Sequence, residues 1–276
     1  AGGLTSGNYD ISYIDGALSI GRASLTVTAA DASKTYDAAA WNGGNGVSYS
    51  AFAGSEDASS LGGALTFSGT SQGAKNAGSY AIKAGGLTSG NYDISYIDGA
   101  LSIGRASLTV TAADASKTYD AAAWNGGNGV TYSAFAGSED ASSLGGALTF
   151  SGTSQGAKNA GSYAIKAGGL TSGNYDISYI DGALSIGRAS LTVTAADASR
   201  TYDAAAWNGG NGVTYSAFAG SEDASSLGGA LTFSGTSQGA KNAGIYAIKA
   251  GGLTSGNYDI SYIDGALSIG RASLTV

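Results

Sequence analysis

The sequence predicts an all-β protein: a tandem array of small β-sandwich or β-grasp-like domains arranged end to end as an elongated rod. Three observations lead there. A long segment returns almost unchanged, apolar residues alternate with polar ones inside it, and glycine-rich or polar breaks separate the alternating runs. The segment opening at Ser24-Leu25-Thr26-Val27 restarts at Ser107 and at Ser190, a period of 83 residues. The copies 24–106, 107–189 and 190–272 differ only at Lys34/Lys117/Arg200, Ser48/Thr131/Thr214 and Ser79/Ser162/Ile245. Residues 1–23 repeat the end of a preceding copy, and 273–276 the first strand of a following one. A period this long exceeds one solenoid coil and fits a whole small domain.

Within one copy the elements follow in order. Leu25 and Val27 alternate with Ser24, Thr26 and Thr28; Val47, Tyr49 and Ala51 alternate with Ser48 and Ser50. Leu65 with Phe67, Tyr80 with Ile82, then Tyr92, Ile94 and Tyr96, and finally Leu101 with Ile103 continue the period of two. Six or seven short strands result. The breaks are Asn42 to Gly46, Gly62-Gly63, Gly69 to Gly78, and Asp98-Gly99, the last reading as a hairpin turn. Ser55 to Leu61 is the one helical candidate, with Ser55 as its cap and Glu56 and Asp57 in its first turn. Between copies, Leu101 to Val110 passes from last strand to first strand with no Pro or Gly/Ser tract, which restricts bending. A compact domain of this size is roughly 30 Å across, so three in line reach about 90 Å.

Composition narrows the chemistry. The chain has 47 Gly and 17 Tyr but no Pro, Cys, Met or His. Disulfides, thiolate or imidazole metal sites and histidine-based nucleophiles are thereby excluded. A net charge of −7 without any basic run argues against nucleic acid, and no apolar stretch is long enough for a membrane helix. The chain lacks an initiator Met, a basic n-region and an apolar h-region, as expected of a fragment of a longer protein. Interchangeable copies suit spacers and multivalent binders better than an enzyme.

The run L-T-V-T-A-x-D-A-S-K-T-Y-D, then A-G-S-Y-A-I, then N-Y-D-I-S-Y-I-D-G-A-L-S-I resembles the YDG/MBG-type tandem repeats of large bacterial adhesins. Such repeats occur in filamentous-haemagglutinin-like proteins exported by two-partner secretion, biofilm-matrix adhesins associated with exopolysaccharide among them. The resemblance implies an extracellular location, at the cell surface or in the biofilm matrix of a Gram-negative bacterium, and a structural or adhesive role. It brings no catalytic residues. Where the pattern expects Gly after Tyr36-Asp37, this chain has Ala38, with Ala121 and Ala204 in the other copies. If the position needs positive φ, alanine is strained there.

The candidate site residues are Trp41, Asn42 and Asn45, with Trp124, Asn125, Asn128, Trp207, Asn208 and Asn211 in the other copies. Sugar rings stack on exposed aromatic faces and amides bond hydroxyls, so a matrix glycan is the ligand this set suits. The competing reading has Trp41 closing one end of the sheet, since large aromatics usually serve the core. The acids Asp31, Asp37, Glu56, Asp57, Asp93 and Asp98 offer oxygen ligands for Ca²⁺ if Asp31 meets Asp37, or Asp93 meets Asp98. The spacing has no D-x-D-x-D-G loop, so no cofactor is expected, and solvated turn acids are the simpler reading. Glu56 and Asp57 are adjacent and point apart, unlike a glycosidase pair. Lys34, Lys75 and Lys83 with Asn42 or Asn76 are the only candidates for an isopeptide link. Three functions follow: a spacer stalk, a multivalent glycan binder, or homotypic association through strand edges.

Overall fold

The computed structural model describes residues 2–50 and 52–276, so Ala51 lies outside the described residues. Each full repeat carries seven strands in two sheets. In repeat 1 these are β1 (Ala23–Ala29), β2 (Ala32–Thr35), β3 (Val47–Tyr49), β4 (Gly62–Ser68), β5 (Gly78–Thr88), β6 (Tyr92–Ile97) and β7 (Gly99–Gly104). Repeat 2 runs likewise from Ala106–Ala112 to Gly182–Gly187, and repeat 3 from Ala189–Ala195 to Gly265–Gly270. One sheet has the order β3-β1-β6 and the other β2-β7-β5-β4. No helix among the described residues is long and apolar enough to cross a membrane.

The alternation works as the period of two requires. On β1, Leu25, Val27 and Ala29 are buried, and on β7 Leu101 and Ile103 are buried, while Ser24 and Ser102 face solvent. In repeat 2, Ala112 from the first sheet and Ile165, Leu184 and Ile186 from the second share one core, so the two sheets pack face to face as a sandwich.

Three local readings change. The Asp98-Gly99 pair does not turn a hairpin, because β6 pairs with β1 in one sheet and β7 with β5 in the other. The chain crosses between sheets there. Gly99 is buried without positive φ, and an added Cβ would lie 2.7 Å from the Ala29 carbonyl oxygen and 2.8 Å from that of Ala30. Close backbone approach therefore explains this glycine. The helical candidate shrinks to a single 3-10 turn at Ala58–Ser60, capped by Asp57 rather than Ser55: the Ser59 N–H donates to Asp57 Oδ1 at 2.8 Å. β2 reads Ala-Ser-Lys-Thr, has no apolar alternation, and is a strand because β7 lies beside it.

The pairings also include parallel ones, β1 with β6 over six positions and β2 with β7 over four. Partners 69 residues apart in the chain are invisible to local pattern. Near the start of β4 the register slips between Gly63 and Thr66. Gly63 has φ +78°, and a Cβ there would fall on the Gly86 carbonyl oxygen, which only glycine avoids.

Ala38, Ala121 and Ala204 have φ of 61°, 61° and 62°. The left-handed turn is thus kept although alanine occupies it. The Lys34 ammonium spans that turn, donating to the Ala39 carbonyl at 2.9 Å and pairing with Asp37 at 2.6 Å. Left-handed alanine costs about 1–2 kcal/mol, partly offset by glycine's extra freedom when unfolded. Replacing all three alanines by glycine is expected to stabilise each repeat by about 0.5–1 kcal/mol, read as a higher urea midpoint. A lower midpoint would mean the methyl group contributes packing that outweighs the strain.

Candidate functional site

Two places gather the chemistry-bearing side chains. The first is an open groove of about 470 Å³ lined by Asp31, Ala32, Ser33, Trp41, Asn45, Ala100 and Ser102. Repeat 2 has its counterpart, about 480 Å³, along Asp114, Ser116, Trp124, Asn128 and Ser185. The groove is built by backbone hydrogen bonds. Trp41 N–H donates to the Ala74 carbonyl at 2.9 Å, and the Gly73 N–H donates to the Trp41 carbonyl at 2.7 Å. The Gln72 amide closes both ends of Gly43 at 2.7 Å. Asp31 Oδ1 accepts from the Ala100 N–H at 2.8 Å, and Asn45 Nδ2 donates to the Asp31 carbonyl at 2.8 Å.

The structure therefore brings Trp41 and Asn45 together with Asp31, Ser33 and Ser102, residues the sequence did not group. Asn42 is exposed and not part of the lining, and Asn125 and Asn208 are exposed likewise. Trp41 is half-buried, which joins the packing role to the lining one. In repeat 3 the substitution at position 200 changes the surroundings. The Arg200 guanidinium lies 5.8 Å from the centre of the Trp207 ring, and the indole N–H donates to Gly209 at 3.2 Å, with Asn211 donating to the Asp197 carbonyl at 2.7 Å.

The second place is the boundary between repeats. The chain divides into two compact units. The first comprises Ala1–Ser107, Phe135–Asp140 and Ser172–Asp176; the second comprises Leu108–Ala134, Ala141–Thr171 and Ile177–Val276. Inside the first, repeat 1 presents Tyr36, and repeat 2 presents Glu139 and Tyr175. The Tyr36 hydroxyl donates to Glu139 Oε1 at 2.6 Å and the Tyr175 hydroxyl to Oε2 at 2.5 Å. Both tyrosines are almost wholly buried, their rings edge to face with centres 5.5 Å apart. Asn174 adds a polar clamp, its Oδ1 accepting from the Ala77 N–H at 3.0 Å and its Nδ2 donating to Asn76 Oδ1 at 3.2 Å.

The second unit repeats the motif with Tyr119, Glu222 and Tyr258, at 2.5 and 2.6 Å. Within repeat 1 the Tyr92 hydroxyl bonds Glu56 in the same way at 2.5 Å. Sequence reasoning placed Glu56 in a helical turn and missed this role. One signal was present: every repeat holds several aspartates but a single glutamate, the one acid with reach enough to span two phenols.

Loss of water around Tyr36, followed by its bond to Glu139, pushes the phenol up to about 12; Tyr119 is pushed up to about 12 by the same causes with Glu222. A raised folded value favours the neutral phenol. The stability it contributes is complete below pH 10, the ordinary value, and is lost as pH climbs towards 12. The chain is therefore expected to lose thermal stability steeply over that window, and a Tyr36→Phe/Tyr119→Phe variant to lose it less steeply. Parallel curves would show that these phenols do not titrate as a consequence of folding.

The remaining acids work singly. Asp37 pairs with Lys34 and is held below the usual carboxylate range chiefly by that bond. Asp93 faces Arg22 at 3.6 Å and Asp98 faces Lys83 at 3.6 Å. No group of three Asp or Glu able to hold a metal ion occurs among the described residues. Lys34 and Lys83 are thus engaged with carboxylates rather than with Asn42 or Asn76.

Geometry and repetition define a tandem array of small two-sheet β domains. Residues 25–102, 108–185 and 191–268 each match the MBG domain family of the YGX type, and the chain belongs to that family. No curated protein matches the chain. Among solved structures, Drosophila N-cadherin EC1-3 aligns at 10% identity over 88% of this chain and 98% of its own, with a TM-score of 0.27. Drosophila N-cadherin EC1-4 aligns at 10% identity over 90% of this chain and 76% of its own, also at 0.27. That likeness is too low to carry an argument.

Proposed function

We propose that these repeats are non-catalytic spacer domains of a secreted bacterial surface or biofilm-matrix adhesin, holding an adhesive region away from the cell. The observation that carries this reading is the boundary itself. One residue, Arg105, separates the last strand of repeat 1 from the first strand of repeat 2, and a buried Tyr–Glu–Tyr cluster fastens the two repeats. A boundary fixed at both chain and side-chain level limits bending, and near-identical copies let length change by whole repeats. We take the units as 24–106, 107–189 and 190–272. Small-angle scattering on this chain and on a version lacking 107–189 tests the reading. The longest dimension is expected to fall by roughly 30 Å, one domain diameter. A compact particle whose longest dimension barely changes would overturn it.

The groove favours a second reading, in which repeats also bind matrix glycan weakly and gain avidity from copy number. Asp31 and Asn45 are each fixed by one hydrogen bond, and Ser33 and Ser102 line the same groove as Trp41. Such a set suits sugar hydroxyls against an aromatic face. Titration with purified exopolysaccharide, read by tryptophan fluorescence, should give saturable binding that Trp41→Ala/Trp124→Ala removes. Absence of binding by the parent chain would leave the spacer role alone.

A further inference from the structure

The chain has neither cysteine nor methionine, so the side chains most open to oxidation are its tyrosines and tryptophans. Tyr36 is in ring contact with Tyr175, and Tyr119 with Tyr258, their centres 5.5 and 5.4 Å apart and their planes near perpendicular. Other ring contacts, Tyr49 with Phe52 and Phe52 with Tyr92, join tyrosine to phenylalanine. Each tyrosine pair shares one carboxylate, Glu139 or Glu222, with a hydroxyl on each oxygen.

We propose that each boundary cluster is an oxidative cross-linking site, where a one-electron oxidant joins Tyr36 to Tyr175, and Tyr119 to Tyr258, as dityrosine. The bond in dityrosine links ring carbons ortho to the hydroxyls, so both hydroxyls can lie on the same side of it. A carboxylate that already accepts from both phenols holds them in that relation before reaction. It also receives the phenolic proton as the electron leaves, which spares the protein a buried cationic radical. Two phenoxyl radicals then couple through one new carbon–carbon bond. The two ring hydrogens at the coupled carbons move to the oxygens as aromaticity returns, restoring both hydroxyls. The net change is loss of two C–H bonds, gain of one C–C bond, two electrons to the oxidant and two protons to water. Electrons leave through the protein, so burial of the rings shields them from bulky reagents without preventing oxidation. The product would convert a hydrogen-bonded boundary between successive repeats into a covalent one, independently of any ligand the repeats bind.

The test uses the full chain with visible-light ruthenium tris-bipyridyl and persulfate, each persulfate accepting two electrons. Peptide mass spectrometry of the monomer band should find the 36–175 and 119–258 cross-links as the main intramolecular products. Both should vanish in Tyr36→Phe/Tyr119→Phe and fall severalfold when the chain is unfolded in urea first. Glu139→Gln/Glu222→Gln, still β-structured by circular dichroism, should lower their yield severalfold while cross-links through exposed Tyr9 and Tyr202 persist. Cross-links through exposed tyrosines alone, equal yields from the unfolded chain, or full yield without the two carboxylates would each overturn the proposal.

Discussion

Glu139→Ala is expected to uncouple repeat 1 from repeat 2. The substitution removes two hydrogen bonds to a charged acceptor and leaves the hydroxyls of Tyr36 and Tyr175 buried with no partner of equal strength. Bonds to charged groups contribute about 1.5–3 kcal/mol each, and a stranded buried hydroxyl adds its own desolvation cost. Water entering the gap recovers part of this, so the loss at the boundary should be about 3 kcal/mol. In a linear array each repeat draws stability from its neighbour. Equilibrium unfolding should therefore change from a shared transition to one in which repeat 1 unfolds at lower urea than repeats 2 and 3. Glu56→Ala serves as the control, since Glu56 bonds Tyr92 within its own repeat. A Glu139→Ala chain that unfolds in a single unshifted transition would show the boundary carries no coupling.

Leu101→Ala should unfold a single sandwich without touching either boundary. Leu101 is fully buried on β7, between Ala32 on β2 and Tyr80 on β5. Truncation forfeits its transfer energy and leaves a cavity that flanking strands, held by ladders on both sides, fill poorly. The cost is about 3 kcal/mol, a drop of about 15 °C in the melting temperature of that repeat. The same change at Leu184 or Leu267, also fully buried, should act on repeat 2 or 3 to the same extent. Unequal effects at the three sites would mean the near-identical sequences do not build equivalent cores.

Particular residues show what the sequence discloses and what it withholds. Alternation found β1, β3, β4, β5, β6 and β7 because their apolar residues fall on alternate positions, although on β4 only Phe67 is even partly buried, and the repeat delimited the array. It could not find β2, whose four residues include no large apolar side chain and exist as a strand through β7. Nor could it place Asp98-Gly99, since whether a break reverses the chain or sends it to another sheet depends on partners far away. Strand identity here is conferred by neighbours as much as by pattern. The boundary cluster was hidden for the same reason, Tyr36 and Glu139 being 103 residues apart. Trp41 and Asn45, close in sequence, were the part of the groove that a linear reading could reach.

The parallel pairing of β1 with β6 and β2 with β7 has a mechanical consequence. Tension applied at the ends of a repeat pulls Ala23, at the start of β1, away from Gly104, at the end of β7. Because β2 follows β1 and lies parallel to β7, the two adjacent strands are dragged in opposite directions along their length. The four register positions between them, and the six between β1 and β6, resist together as a shear. An antiparallel hairpin pulled from its open end would instead give way one hydrogen bond at a time. Forced unfolding is governed by the unfolding rate rather than by equilibrium stability, so such a repeat can be stiff under pull while remaining only marginally stable at rest.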